Sequence, residues 1–513
     1  MLNLLKNIIS MDKRVANPIS TMQNYALGFA KYFNEFMIPS LLSAKYFADI
    51  EQSRLLKNSS PAEMVQSYME LMEFNLDISN RAFISGTKAM GDHWVQWSSE
   101  AMSAVFNTFF SENGDEKIND FINRQAKTMN LLAHVYPESI KKVESEFGFH
   151  FERGGNIRVA ETERFILYQI LPTDKSIAVR EDCKPLLILP PFVLGANILA
   201  FLPYENKSYT HSFANQGIPT YIRIMKDINT TPAVQIMTGE DDAMDTRFFC
   251  EKIMSRHGKK VTLNGYCQGG YSAVCDLLSG ELDDSADALI TCVSPMDGTR
   301  SKGLNDFLKK LPLRFNDLAY GTKTIQNGNK VADGTLMGWI YKLKSIETES
   351  PMVTFLGNLN MAEKVAQNGG KFSKTACAIN HWLQNERTDL PLAVTRMSFD
   401  SYTTPVSKDG TLPVKLFGRE LNFKRLKEKG IKWLICYGEK DDLVEKETAL
   451  APLDYIDAEV SAFPKGHVAI ATSWSDPKSA YALHTYFGDK PYRGPVRFQL
   501  DMDESYGKKM KYQ

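Results

Sequence analysis

Apolar residues recur on two different periods along this chain, and the change falls near residue 148. Before it the spacing is helical. Ser60-Pro61-Ala62-Glu63 reads as a capping box with proline at the first helical position, so a helix should start there. Val65, Tyr68, Met69, Met72, Leu76 and Phe83 then return every three or four residues as one apolar stripe. Earlier, Tyr25, Leu27, Phe29, Tyr32, Phe33, Phe36, Met37 and Ile38 form a denser apolar surface broken by Pro39. Residues 1–147 are therefore expected to be a helical region. Its apolar faces allow two readings: a layer packed on the main domain or on a second subunit, or a surface that adsorbs to a hydrophobic body.

From 148 onward short apolar runs alternate with glycine and proline. Phe165–Ile170, Pro185–Pro190, Thr220–Ile224, Val261–Leu263, Ala288–Val293, Ile431–Gly438 and Ala458–Phe463 read as strands. Asp241–His257 and Tyr271–Leu278 read as helices between them. Strands alternating with helices predict an α/β fold with a mostly parallel sheet covered on both faces. Between 300 and 420 the alternation lapses into irregular, mostly helical sequence, as expected of a lid or cap inserted over the strand ends. The chain thus divides into a helical region at 1–147, an α/β core at 148–299 and 421–490, a lid at 300–420 and a polar tail at 491–513.

Composition narrows the field. Sixty basic residues against 61 acidic ones leave no basic surplus for nucleic acid. The seven cysteines contain no C-x-x-C pair, which argues against structural disulfides and a zinc site and for a reducing cytoplasm. No cofactor and no metal ligand set are expected. Met1–Val15 carries no cleavage site after its short apolar run, and no apolar run reaches the ~18 residues of a bilayer span.

The candidate chemistry sits at Val261–Tyr271, where a buried strand runs into Gly265-Tyr-Cys-Gln-Gly-Gly270. Gly265 and Gly269 bracket Cys267 as the glycines of a G-x-S-x-G nucleophile elbow bracket serine. A thiol nucleophile needs a base, and the base needs an acid to hold its tautomer. In the order of the α/β-hydrolase fold these follow as nucleophile, acid and histidine, each after a sheet strand. Asp441 and Asp442 follow one late strand and His467 the last. Singly, each has a plainer reading: a buried cysteine in a tight turn, a solvated aspartate pair, a structural histidine. Jointly they read as a triad.

These residues resemble the polyhydroxyalkanoate synthases, cysteine-dependent members of the α/β-hydrolase fold. Gly265-Tyr-Cys-Gln-Gly-Gly270 is similar to their lipase-like box, Gly438-Glu-Lys-Asp-Asp442 to the loop of the catalytic aspartate and Lys465-Gly-His467 to the segment of the general base. Pro190-Pro191, Asn380-His-Trp-Leu-Gln384 and Leu416-Phe-Gly-Arg419 extend the likeness over about 150–475. The chain departs from the family at Phe192–Ile198, at Met225–Ile228 and after the aspartate pair, where the usual histidine is missing. The resemblance implies Cys267 as nucleophile, Asp442 as acid and His467 as base. Backbone N–H groups of Gln268 and of the turn at Phe192 would form the oxyanion hole, with Gly265, Gly269 and Gly270 shaping the elbow. It implies a 3-hydroxyacyl-CoA thioester as substrate, a polyester granule surface and a second subunit or homodimer as partners, and a cytoplasmic or granule-surface location. Asp245 is expected to be structural. Two other functions fit the same sequence: a cysteine-type hydrolase, either polyester depolymerase or thioesterase, and a non-catalytic granule-associated protein.

Overall fold

The computed structural model describes residues 18–502 except 39–44, 46–47, 50–51, 54, 58–59, 112–114, 194, 311–320 and 491. Met1–Val15, Pro39 and the end of the tail lie outside the described residues. The chain forms two compact units, residues 1–144 with 338–381 and residues 145–337 with 382–513. The stretch expected as a single lid is thus divided between them.

The first unit is helical in its described part. It contains α1 (Pro18–Tyr32), α2 (Pro61–Phe110), α3 (Ile118–Asn130) and, from the later stretch, the helix Pro351–Gln367. The capping box forms as expected: Ser60 Oγ accepts from Glu63 N–H and a Glu63 carboxylate oxygen accepts from Ser60 N–H. At about 1.5 Å per residue α2 is roughly 75 Å long. It packs through Phe74, Ile78, Gly86, Ala104 and Thr108. The stripe Val65, Met69, Met72, Leu76 and Phe83 faces away from that packing, with Met72 the least exposed at 42% and Phe83 69% exposed. Arg124 of α3 ties the unit together by ion pairs to Glu100, Glu116 and Glu363.

The second unit is built on an eight-stranded sheet of β1 (Asn156–Glu161), β2 (Phe165–Ile170), β3 (Leu186–Leu189), β4 (Thr220–Met225), β5 (Val261–Tyr266), β6 (Ala286–Cys292), β7 (Lys432–Gly438) and β8 (Glu459–Phe463). Their spatial order is β1-β2-β4-β3-β5-β6-β7-β8. The first two pairings are antiparallel and all the others parallel. This is the α/β-hydrolase fold. The parallel strands are buried on both faces, which explains why they read as mainly apolar runs without strict alternation. Helices α4 (Gly239–His257) and α5 (Gln268–Ser279) connect the central strands, and every residue of α5 is buried. Further on, α6 (Leu392–Thr403) contributes Val394 and Met397 to the same core. Asp245, in α4, is nearly buried and pairs with Arg164 at 2.7 Å, the structural role expected of it.

β5 lies between β3 and β6, with Gly265 opposite Leu189 and Tyr266 opposite Cys292. Its carboxyl end is where a sheet of this kind places reactive groups. Among the described residues no helix is long and apolar enough to cross a membrane.

Candidate active site

Cys267 is the single residue between β5 and α5, and its backbone is held at φ 52° and ψ −124°. A non-glycine residue in such a region costs about 1–3 kcal/mol and persists only where its surroundings impose it. Here they do. Its N–H donates to Cys292 O at 2.8 Å, and its carbonyl accepts from Gly270 N–H at 3.0 Å. The flanking glycines are required by close approach: a Cβ on Gly265 would meet the backbone of Gly269 and Gly270, one on Gly269 the carbonyl of Leu189, and one on Gly270 the hydroxyl of Ser294. The glycine box is therefore a packing solution for a helix that starts directly on its own strand. Cys267 is also partly exposed, whereas the other six cysteines are buried.

The base and the acid arrive on two loops that lie main chain against main chain. Glu439 N–H donates to Phe463 O at 2.7 Å and Lys440 N–H to Lys465 O at 3.4 Å. A Cβ on Gly438 would strike Lys465 O, so the glycine ending β7 lets the loops approach. Across this contact His467 Nδ1 meets Asp441 Oδ2 at 2.8 Å, with the aspartate fully buried and the imidazole 8% exposed. The acid on the histidine is thus Asp441, in place of the expected Asp442. The other carboxylate oxygen of Asp441 accepts from Leu443 N–H and Val444 N–H, both at 2.9 Å. Those two bonds fix the rotamer that aims Oδ2 at His467.

Burial disfavours the charged imidazole of His467, but Asp441 and then Cys267 favour it more, and its pKa stands well above the ordinary histidine value. A base that holds a proton readily, beside a thiol, suits proton abstraction. Among the described residues the imidazole Nε2 makes no well-formed hydrogen bond, and the Cys267 thiol is near enough to act on the ring as a partner. One support was missed by sequence reasoning: Tyr266 O–H donates to the backbone carbonyl of His467 at 2.7 Å, and its ring stands edge-on to the imidazole. It ties the residue just before Cys267 to the histidine. In sequence it is one more aromatic in a buried strand.

Of the expected oxyanion donors, Gln268 is the first residue of α5 and Phe192 lies in the turn after β3. The N–H of neighbouring Val193 donates to Gln268 Oε1 at 3.3 Å, so the Gln268 side chain holds the Phe192 turn against the start of α5. Neither Gln268 N–H nor Phe192 N–H has a hydrogen-bond partner among the described residues. One amide donor at a helix start and one in the facing turn, a thiol and a buried histidine–aspartate pair can stabilise an oxyanion, attack a carbonyl and move a proton. Among the described residues no cluster of three or more histidine, cysteine or acidic side chains could hold a metal ion.

No family model matches the sequence, and no curated protein does. Among solved structures the chain is similar to a thermophilic esterase from Thermogutta terrifontis at 13% identity and a TM-score of 0.33, over 62% of this chain and 93% of that one. It is also similar to DcsB in complex with a substrate analogue, at 14% and 0.36 over 62% and 92%. A thioesterase domain from the curacin biosynthetic pathway matches at 10% and 0.31 over 62% and 94%.

Proposed function

We propose that the protein is an acyltransferase of the polyhydroxyalkanoate synthase type, which polymerises 3-hydroxyacyl groups from CoA thioesters through an acyl group held on Cys267. The observation that carries this reading is a cysteine, rather than a serine, on the strained turn beside the His467–Asp441 pair. A thiol attacking a thioester exchanges one thioester for another at little change in free energy. The acyl group therefore stays activated for transfer to an alcohol, whereas an oxygen ester on serine would lose that activation.

In the proposed cycle His467 Nε2 takes the Cys267 proton while Sγ adds to the thioester carbonyl. Gln268 and Phe192 N–H groups bind the oxyanion. CoA leaves as a thiolate and accepts the proton from His467. His467 then removes the proton from the 3-hydroxyl of the next unit, whose oxygen adds to the Cys267 thioester carbonyl; the ester forms as the C–S bond breaks, and the departing Sγ takes the proton back from His467. Asp441 keeps Nδ1 protonated throughout, so Nε2 remains free to act. The exposed apolar stripe of α2 supports a further part of the reading, adsorption to a polyester granule in the cytoplasm.

The test is to incubate the protein with 3-hydroxybutyryl-CoA and longer homologues, following thiol release and polymer. Thiol release with polymer, abolished by Cys267→Ala, is expected. Thiol release with free 3-hydroxy acid and no polymer would replace the synthase with a thioesterase or depolymerase. No thiol release with any chain length, with or without a second subunit, would overturn the enzymatic reading and leave a granule-coating protein.

A further inference from the structure

Behind the turn that carries Phe192 lies a fully buried charge cluster that the chemistry above does not use. Arg223, on β4, has no exposed surface and pairs through Nη1 with Asp242 Oδ1 at 2.7 Å. The same Nη1 donates to Thr246 Oγ1 at 2.7 Å. Thr246 also lies 2.7 Å from Asp242 O and 2.9 Å from Asp276 Oδ2, and Asp276 belongs to α5, the helix that starts at the nucleophile. Arg223 is thereby joined to both helices that flank β5. Among the described residues its Nε and Nη2 have no hydrogen-bond partner. In place of one the guanidinium carbon lies 4.7 Å from the ring centroid of Phe165 and 5.8 Å from that of Phe192. The two rings are 6.2 Å apart, so the cation rests on an aromatic pair at the oxyanion turn.

Burying an arginine with incomplete hydrogen bonding is expensive, and an apolar side chain would fill the same space more cheaply. What the guanidinium adds is direction, because it is planar, tethered at one end and attracted to ring faces at the other. The hydroxyl of Thr246 has one proton to give and three neighbours to satisfy. With Arg223 donating to it and its own proton on Asp242 O, the contact to Asp276 is complete when Asp276 supplies a proton. Burial, and then the nearby Asp242, push Asp276 well above the usual carboxylate range, consistent with that arrangement. Arg223 then faces Asp242, while Arg164 pairs with Asp245 and with Asp241.

We infer that Arg223 is a positioning residue: its guanidinium, fixed by Asp242 and Thr246, holds the ring of Phe192 so that the N–H of that residue stays aligned with the N–H of Gln268 at the oxyanion site. The turn is clamped from two sides, by Arg223 on the Phe192 ring and by Gln268 Oε1 on Val193 N–H. The inference rests on the reading of Phe192 as an oxyanion donor.

The test uses the full chain carrying Arg223→Met with Asp242→Asn, which removes the pair together and strands no buried carboxylate. Hydrogen exchange followed by mass spectrometry is expected to show Val193 exchanging about tenfold faster or more, while β5 and α5 stay protected. Iodoacetamide should modify Cys267 at a rate within about twofold of the parent, because His467 and Asp441 are untouched. Thiol release from 3-hydroxybutyryl-CoA should fall about tenfold or more in kcat at nearly constant KM. Phe192→Leu, which keeps the charge cluster intact, should give the same exchange change and serves if the double variant does not fold. Unchanged Val193 exchange in the variant, or equal loss of protection in β5, would overturn the inference. A parent protein that releases no thiol from any thioester refutes the acyltransferase reading instead, and the exchange result then decides the role of Arg223 alone.

Discussion

Replacing Asp441 by asparagine tests the site at the point where two neighbouring carboxylates compete for one role. The substitution is nearly isosteric, and the amide oxygen can go on accepting from Leu443 and Val444 N–H, so the loop keeps its shape. What changes is the group facing His467 Nδ1: an acceptor 2.8 Å away becomes an amide donor. Nδ1 must then accept, its proton moves to Nε2, and the base is lost in the direction of Cys267. A charge-assisted hydrogen bond in a buried place is worth about 1.5–3 kcal/mol. At ~1.4 kcal/mol per tenfold this lowers the rate of Cys267 alkylation by iodoacetamide about 10- to 150-fold at neutral pH. Thioester turnover, which uses the base twice, should fall further, by about 10³ to 10⁴ as in other triads. Asp442→Asn should change either rate less than about threefold. The assay is mass-spectrometric alkylation kinetics on both variants and the parent, with matched melting curves. A larger loss in Asp442→Asn than in Asp441→Asn would refute the assignment and the orientation argument behind it.

Three further outcomes follow from geometry described above or from neighbouring groups. Iodoacetamide on the native protein should label Cys267 and leave the six buried cysteines unmodified; stoichiometric labelling of a second site would contradict the burial pattern. Gly269→Ala places a methyl against Leu189 O and should destabilise the protein by about 3 kcal/mol or abolish folding, read as the urea midpoint, with no alternative turn available to relieve the clash. His211 is buried with Nδ1 at 2.7 Å from Ser208 Oγ, and burial lowers its pKa to about 4. The unfolded chain binds that proton near pH 6.5, so stability is complete above about 6.5 and falls as pH drops towards 4, by roughly 3 kcal/mol in all. His211→Asn should flatten that part of the stability curve, and an unchanged slope would show that another group is responsible.

The fold was largely legible because the strands that build it are buried on both faces. Val261–Tyr266 and Lys432–Gly438 are rich in apolar side chains, and their ends are marked by the glycines that the turns require. The helix after Cys267 is longer than its periodicity suggested, beginning at Gln268 and not at Tyr271, because two glycines masked its first turn. The choice between Asp441 and Asp442 was illegible for a different reason. Adjacent residues in a loop point opposite ways, and only the pair of N–H groups at Leu443 and Val444, donated back to Asp441, decides which faces the histidine. The apolar stripe of α2 was visible as a period, but a period does not say whether a face is covered. In the structure its residues are exposed, which removes packing within the described unit as the reason for that stripe. Arg223 and Tyr266 were not singled out at all, since a charged residue in a strand and an aromatic beside a box carry no local pattern.

The elbow has one more property. Among the described residues the hydrogen bonds that hold the backbone of residue 267 run to main-chain atoms, to Cys292 O on one side and Gly270 N–H on the other. The side chain is a passenger on a mount built by its neighbours. Exchange of sulfur for oxygen at this position alters a single atom and asks nothing of the scaffold, so the energetic level at which an acyl group is held can drift by one nucleotide change while the architecture stays put. The glycines have no such freedom. Divergence among chains built on this mount should therefore accumulate in what the thiol or hydroxyl is offered, at the turn of Phe192 and in the segments over the strand ends, and hardly at all in the mount itself.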